Sequence, residues 1–411
     1  MTSSARHVES DAATLVLERG DKVPRHILPA IVVAQFAATA LWFATNAVIG
    51  DLVRAGVLAA DALGTLSSAV QLGFIAGTLS FAVALIADRY SPRRVFLACA
   101  LAGAIANGLA VFVADSLAGL AATRFMTGFF LAGVYPVGMK IASGWYRQGL
   151  GAALGFMVGA LVLGTGAPHL LRAWGADWPW QQVVLSLSVV AVCGGVLLSA
   201  LVPDGPHLVR ARHLQWRALA VIWRDPKVRA SAFGYFGHMW ELYAVLVIVP
   251  VLIARYLHTD YTPGVALLSG VVICAGAIGC MVGGVLAKRF GSAPVAMSQL
   301  AVSGLCCLLV PWMLEASPIV TGIWLLVWGI TVSGDSPQFS ALTAINAPRE
   351  LVGSVLTLVN CIGFAISVVT IEAVTRLSAS LPLASVLPWL AVGPLVGLVA
   401  MRPLLRIAGK A

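Results

Sequence analysis

Four ionisable side chains interrupt apolar runs about twenty residues long: Arg124, His238, Glu241 and Asp335. A charge in such surroundings is expensive, so it marks a solute path, a proton relay or a buried pair. His238 and Glu241 lie three residues apart in FGYFGHMWELYAV, with Tyr235 three residues earlier, a spacing that brings side chains toward one helical face. Counted from residue 230, Glu241 falls ~16 Å along its helix, near the middle of a ~30 Å hydrocarbon core. A carboxylate there must pair with a cation or hold a proton, as a proton carrier does. The competing reading is a His238–Glu241 hydrogen bond that only fixes packing. Asp335 is the second such carboxylate, in Ser333-Gly334-Asp335-Ser336-Pro337-Gln338. Gly334 and Pro337 weaken the helix there and free backbone groups that could meet a solute, with Gln338 one turn on; a packing kink around a capped Asp335 is the alternative. Arg124 lies inside the fourth apolar run, and Tyr135, eleven residues on, returns to nearly the same face, so both could line one cavity. Alternatively Arg124 snorkels to an interface. One positive and two negative intramembrane charges suggest a coupling network across an interface between two halves. Trp42, Asn46, Gln35, Gln71 and Asn360 are smaller candidates, since polar residues also serve as interhelical glue.

The elements that position these groups are apolar helices. Of 411 residues, 60% are hydrophobic and 10% charged, and the mean hydropathy is +0.93, which excludes a water-soluble fold. Spans are expected near 27–49, 62–87, 95–114, 117–139, 150–171 and 181–202, and again near 230–254, 264–287, 293–314, 318–345, 351–374 and 384–401. The expected organisation is a tail over 1–26, a six-helix bundle over 27–202, a basic linker over 203–229, a second bundle over 230–401 and a tail over 402–411. The first 26 residues carry alternating charges and no apolar core, so they do not read as a cleavable signal. If the N-terminus is cytosolic, 21 of the 26 basic residues fall on the cytosolic side. The positive-inside rule then places both termini in the cytosol. The net charge of +9 thus reads as orientation rather than nucleic-acid binding. The seven cysteines sit in apolar runs without metal-ligand spacing, so neither a metal nor another cofactor is expected.

The halves also repeat. ALIADRYSPRRV (84–95) aligns with GVLAKRFGSAPV (284–295), RQGLGAALG (147–155) with RELVGSVLT (349–357), and LWF (41–43) with MWE (239–241). Tyr135-Pro136 aligns with Ser336-Pro337. A solute path is expected between two bundles related by duplication.

Asp88-Arg89-Tyr90-Ser91-Pro92-Arg93-Arg94 resembles the signature loop of the major facilitator superfamily, G-x-x-x-D-R-x-G-R-R, with Ala84 and Ser91 in place of its glycines. The duplicate keeps Gly284, Arg289 and Gly291 but has Lys288 where the acid stands. In that family the loop latches the two bundles in the outward-open state. A solvated basic loop would explain the arginines but gives Asp88 no purpose. Arg124-x-x-x-Gly128-x-x-x-Ala132 resembles the family's fourth-helix arginine motif, its small residues allowing close helix approach. The fifth span, with Gly159, Gly164 and Pro168 in GFMVGALVLGTGAPHLL, is loosely similar to the glycine-and-proline motif of the family's antiporters, interrupted by Ala167. His169 and Glu372 read as interfacial.

The resemblance implies an all-α membrane protein of twelve helices in two pseudo-symmetric bundles. It further implies a secondary active transporter of a bacterial inner membrane, monomeric as the family usually is, with protons and a small solute as partners. Proton-driven efflux of a drug or metabolite is suggested by the fifth span; uptake of a small anion is suggested by Arg124. An enzyme is not expected, because the short loops carry no nucleophile–base or phosphate-cradling pattern, and a transporter-like sensor would need a signalling domain.

Overall fold

The computed structural model describes residues 23–59, 62–146, 150–208 and 213–408. Residues 1–22 of the expected N-terminal tail, with Arg147, Arg210, Arg212 and Lys410, lie outside the described residues. The first half comprises α1 Ile27–Thr39, α2 Ile49–Arg54, α3 Ala62–Ala84, α4 Ile86–Arg89, α5 Pro92–Leu109, α6 Leu117–Leu131, α7 Tyr135–Trp145, α8 Leu150–Trp174 and α9 Trp180–Leu201. After α10 Arg217–Arg224, the second half comprises α11 Pro226–Tyr256, α12 Pro263–Phe290, α13 Ser292–Met313, α14 Pro318–Gly334, α15 Ser336–Asn346, α16 Val352–Ser380, α17 Leu383–Val386 and α18 Val392–Ala408. Among the described residues, eleven segments are long and apolar enough to cross a membrane, and α1 with α2 makes a twelfth crossing in two pieces. The chain is a multi-pass, all-helical membrane protein of two six-helix bundles. Below, the side on which α1 begins is the terminus side, and the opposite side is the far side.

The packing is itself duplicated. Within the first half α1 packs on α9, α3 on α6 and α5 on α9; within the second, α11 packs on α18, α12 on α14 and α13 on α18. The halves meet along α8 with α12 and α3 with α16, two interfaces that the duplication exchanges. The repeat extends to atoms. A β-carbon on Gly77 would lie 2.2 Å from Phe129 O, and one on Gly279 would lie 1.9 Å from Ile330 O. A β-carbon on Gly128 would lie 2.0 Å from Val70 O, and one on Gly329 would lie 2.2 Å from Val272 O. Each residue stands 201 or 202 positions from its counterpart, as the numbers show (279 − 77, 330 − 129, 329 − 128, 272 − 70). Glycine is required at these crossings because backbone touches backbone.

The spans also break in matching places. α6 ends at Leu131 and α7 restarts at Tyr135-Pro136, while α14 ends at Gly334 and α15 restarts at Ser336-Pro337. A proline in the first turn of each restarted helix lacks the N–H that would continue the ladder and crowds the carbonyl four residues back. At the start of α11, Asp225 accepts from Lys227 N and Val228 N with Pro226 in the first turn. This cap sets the helix start four residues earlier than residue 230, and the expected linker is not all loop, since α10 lies in it.

One break is not duplicated. The expected continuous span over 27–49 is interrupted: α1 stops at Thr39 and regular helix resumes only at Ile49. Arg124, fully buried, explains it. Its Nη2 donates to Leu41 O at 2.8 Å and Trp42 O at 2.5 Å, and its Nη1 donates to Asn107 Oδ1 at 2.9 Å. Carbonyls at a helix C-terminus carry partial negative charge and lack helical partners, so a guanidinium is a fitting donor to them. Asn107 is itself held by Val184 O and Ser188 Oγ, both at 3.0 Å. In the duplicate, Leu325 occupies the position of Arg124 (201 residues on), and α11 runs unbroken over 31 residues. Arg124 therefore neither snorkels to an interface nor pairs with a carboxylate.

Replacing Arg124 with Leu should strand the Leu41 and Trp42 carbonyls and cost about 3 kcal/mol. Thermal unfolding of the purified variant is expected several degrees below the parent protein; an unchanged midpoint would refute the role given to Arg124.

Candidate functional site

Between the bundles lies a cavity whose deeper part holds about 520 Å³ of empty space and whose continuation toward the terminus side holds about 730 Å³. The deeper part is walled by Tyr135 of α7, Thr165 of α8, Tyr235 and Tyr243 of α11, and Asn360 and Phe364 of α16, with Ser333, Ser336 and Ser340 flanking the break between α14 and α15. Thr78, Met139, Thr343 and Leu356 extend the wall toward the terminus side. Tyr235 Oη donates to Asn360 Oδ1 at 2.6 Å. Among the described residues no Lys, Arg, His, Asp or Glu lines either part.

The ionisable residues stand behind this wall. His238 Nδ1 lies 2.8 Å from Asp335 Oδ1, with both residues buried. His238 Nε2 and Asp335 Oδ2 have no hydrogen-bond partner. The imidazole sits 5.9 Å from the Tyr235 ring and 5.5 Å from the Phe339 ring, both of which face the cavity. One layer of side chains separates the pair from the cavity.

Glu241 is not His238's partner and meets no cation. Ser303 Oγ donates to its Oε2 at 3.0 Å, while Trp328 Nε1 and Cys307 Sγ donate to its Oε1 at 2.9 and 3.2 Å. It ties α11 to α13 and α14 inside the second bundle. The three-residue spacing explains the miss: two steps of three advance about 600°, which leaves Glu241 about 120° round the helix from Tyr235. Nor do Arg124 and Tyr135 share a cavity. The eleven-residue register between them holds only on an unbroken helix, and the chain unwinds between α6 and α7.

Trp42 and Asn46 lie on the far side of the cavity. Trp42 is buried against Phe74, Tyr243 and Phe364 with ring centroids at 5.0, 5.9 and 5.8 Å, and Phe74 meets Phe364 at 4.5 Å. This aromatic layer joins the halves and closes the cavity toward the far side. Asn46 Nδ2 donates to Ser67 Oγ at 2.9 Å within the first bundle. Gln338 is buried in α15 beside the pair. In the signature loop, Asp88 pairs with Lys140 of α7, within its own half, and Leu85, next to the missing glycine, takes φ 56° where α3 stops. Arg89 and Arg94 are exposed and Arg93 is half-buried. Gly291 caps α12 at φ 84°, Arg289 lies 5.3 Å over Phe290, and Gly284 lies within continuous helix. Gly159 approaches Ala277 O of α12, and Gly164 presses on Thr39 of α1, with a β-carbon 2.1 Å from its Oγ1. Pro168 is accommodated within α8, and Ala132 ends α6 against Gly77. The fifth-span motif thus serves packing in this structure.

Sequence reasoning missed a second cluster, at the far side. Arg172 grips Asp51 with two bonds, Nε to Oδ2 at 2.8 Å and Nη2 to Oδ1 at 2.9 Å, and Arg54 Nη2 reaches the same carboxylate at 2.6 Å. Arg54 Nη1 then crosses to the other half and donates to Tyr261 O at 2.9 Å. The Tyr261 hydroxyl lies 2.7 Å from His169 Nδ1. Burial, reinforced by the Asp51 carboxylate and opposed by Arg172, pushes the Tyr261 phenol above its ordinary range, so it stays protonated. Gly50 makes room for the ring, since a β-carbon there would lie 2.7 Å from Tyr261 Cβ. His169 is buried and not interfacial. An aspartate and two arginines on two helices and a tyrosine in a loop of the other half, 207 positions from Arg54 in sequence, leave no local sequence signal for the cluster.

The sequence model described as Major Facilitator Superfamily matches residues 29–370. A protein of Bacillus subtilis (strain 168), provisionally named the niacin/nicotinamide transporter NiaP, is 24% identical over 198 residues, covering 44% of this chain and 48% of that protein. The chain therefore matches about half the length of that relative. Among solved structures, the human organic anion transporter MFSD10 (TETRAN) superposes with a TM-score of 0.70 at 13% identity, covering 92% of this chain and 100% of the other. The nucleoside transporter NupG gives 0.68 at 12% identity, covering 92% and 99%. A bacterial homologue of the human lysosomal transporter Spinster, inward-facing and occupied, gives 0.69 at 14%, covering 93% and 96%. At these identities the superpositions show the fold.

The far-side cluster yields a test of its own. Tyr261→Ala removes the side chain bonded to His169, and Gly50→Val displaces it by steric overlap. Both should speed amide exchange at the far-side ends of α8 and α12 in hydrogen-exchange mass spectrometry while leaving α10 unaffected. Exchange indistinguishable from that of the parent would mean that the cluster does not hold the halves together.

Proposed function

Because the chain belongs to the major facilitator superfamily, whose members are transporters and not enzymes, we propose that it is a proton-coupled secondary transporter that moves a small solute by alternating access, with the cavity as its solute site. The observation that carries this reading is the buried His238–Asp335 pair with one unpartnered polar atom on each residue. With one shared proton the pair is neutral overall. Removing that proton leaves a net negative charge in a medium that cannot solvate it, which is costly unless water enters. Proton release is therefore favoured in whichever state hydrates the pair, and Tyr235 and Phe339 transmit the change to the wall. The bundles rock about this site, with the far-side cluster and the aromatic layer closed in the present state.

The basic residues support a bacterial inner membrane with both termini in the cytosol, and the bundles over 27–202 and 230–401 supply the moving parts. The protein acts as a monomer. The niacin/nicotinamide and nucleoside transporters among the similar proteins support a small metabolite as the solute. The sequence argument for anion uptake rested on Arg124, and that for efflux on the fifth-span glycines; both groups have packing roles, so neither argument gives a direction.

The test separates the two membrane carboxylates. In proteoliposomes, with whichever solute most stabilises the purified protein, Asp335→Asn should abolish accumulation driven by a pH gradient and spare counterflow. Glu241→Gln should lower thermal stability and leave coupling intact. Retained accumulation in Asp335→Asn would reject the pair as the proton site, and lost coupling in Glu241→Gln alone would hand that role to Glu241.

A further inference from the structure

The chemistry of the wall narrows the solute. Full charges near the cavity are already committed: Arg124 is spent on the Leu41 and Trp42 carbonyls, Glu241 on three donors in the second bundle, and His238 on Asp335. What lines the cavity is hydroxyl, amide, aromatic and aliphatic. An ion entering such a site gives up water and gains no counter-charge, a cost of more than an order of magnitude in affinity. A neutral solute avoids that penalty.

The polar groups also have a direction. Tyr235 occupies Asn360 Oδ1 as its donor, so the Asn360 NH₂ remains to donate to a solute acceptor while the Tyr235 oxygen remains to accept. Ser336 and Ser340, on the α15 wall, can do either. Tyr135, Tyr243 and Phe364 line the same space, so an aromatic solute would meet aromatic side chains there. A donor and an acceptor side by side among aromatic side chains match the edge of an amide or a nucleobase.

We infer that the cavity selects an uncharged, planar heteroaromatic solute with an amide-like donor–acceptor edge, read by Asn360 and Tyr235. This rests on the transporter reading above, which takes the cavity as the solute site. Asn360 and Tyr235 thereby become specificity-determining residues, while the His238–Asp335 pair behind them handles the proton.

The experiment uses the purified full chain in detergent near neutral pH and probes matched in shape but not in charge. Nicotinamide and adenosine are the neutral probes; nicotinate and AMP are the anions, and 1-methylnicotinamide is the cation. Binding is measured by thermal shift and titration. The expected result is that at least one neutral probe binds, that its charged counterparts bind at least tenfold more weakly, and that Asn360→Leu weakens the neutral probe at least tenfold. If Asn360→Leu unfolds, Tyr235→Phe, which removes the hydroxyl and keeps the ring, carries the same expectation. A charged probe that binds as tightly as its neutral counterpart overturns the inference, as does the failure of both neutral probes, or an unaffected affinity in a folded variant. Entry of the same probes into proteoliposomes separates the two levels. Neutral probes that bind and never cross would reject transport and leave the cavity chemistry standing, whereas pH-driven entry of the charged probes alone would leave transport standing and reject the selectivity.

Discussion

Apolar surroundings that offer no water make an unpartnered buried polar group costly, and the break in the first span answers that demand. Arg124 is the case on which the first bundle turns. A guanidinium in a hydrocarbon layer needs acceptors, and a helix end needs donors. Unwinding residues 40–45 supplies one to the other, with Asn107 taking the remaining NH₂ group. The consequence reaches the cavity, because the unwound turn carries Trp42 into the aromatic layer that closes the far side.

Duplication accounts for the scaffold and leaves the chemistry asymmetric. The glycine-to-carbonyl crossings at Gly77 and Gly279, and at Gly128 and Gly329, repeat with the 201 to 202 residue offset. The proline-restarted helices repeat as well. These features set how closely helices approach and where spans bend, and both halves need them. The charges do not repeat: Arg124 is matched by Leu325 and Asp335 by Val134. An ancestral framework held by backbone contact tolerates this, since exchanging one buried side chain leaves the crossings intact.

How much the sequence disclosed follows from the range of each interaction. Spans, the even number of crossings and the repeat were legible because hydropathy and glycine spacing are local signals. Asp335 and His238 were legible as costly intramembrane groups. Their pairing was not, because it joins α11 to the α14–α15 break and depends on which way each helix is rotated. Glu241 and Tyr135 show the same limit: counting residues fixes relative angle along one helix, and only packing fixes absolute direction. The Asp51, Arg54, Arg172 and Tyr261 cluster was invisible for a further reason. Each residue looks like an ordinary surface charge or loop aromatic until the first bundle folds Arg172 onto Asp51 and the second brings Tyr261 against Arg54 and His169.

A neutral solute beside a proton-binding pair has an energetic consequence that an anion would not share. If one proton crosses with each uncharged solute, a net positive charge moves, and a membrane potential of about 100 mV contributes about 2.3 kcal/mol to accumulation, which is about a fifty-fold gradient. An anion carried with one proton would move no net charge and draw only on the pH difference. On the proposed reading, a cavity wall without a counter-charge among the described residues would therefore do more than select the solute: it would make the potential itself available as a driving force, with the direction set by whether the proton travels with the solute or against it.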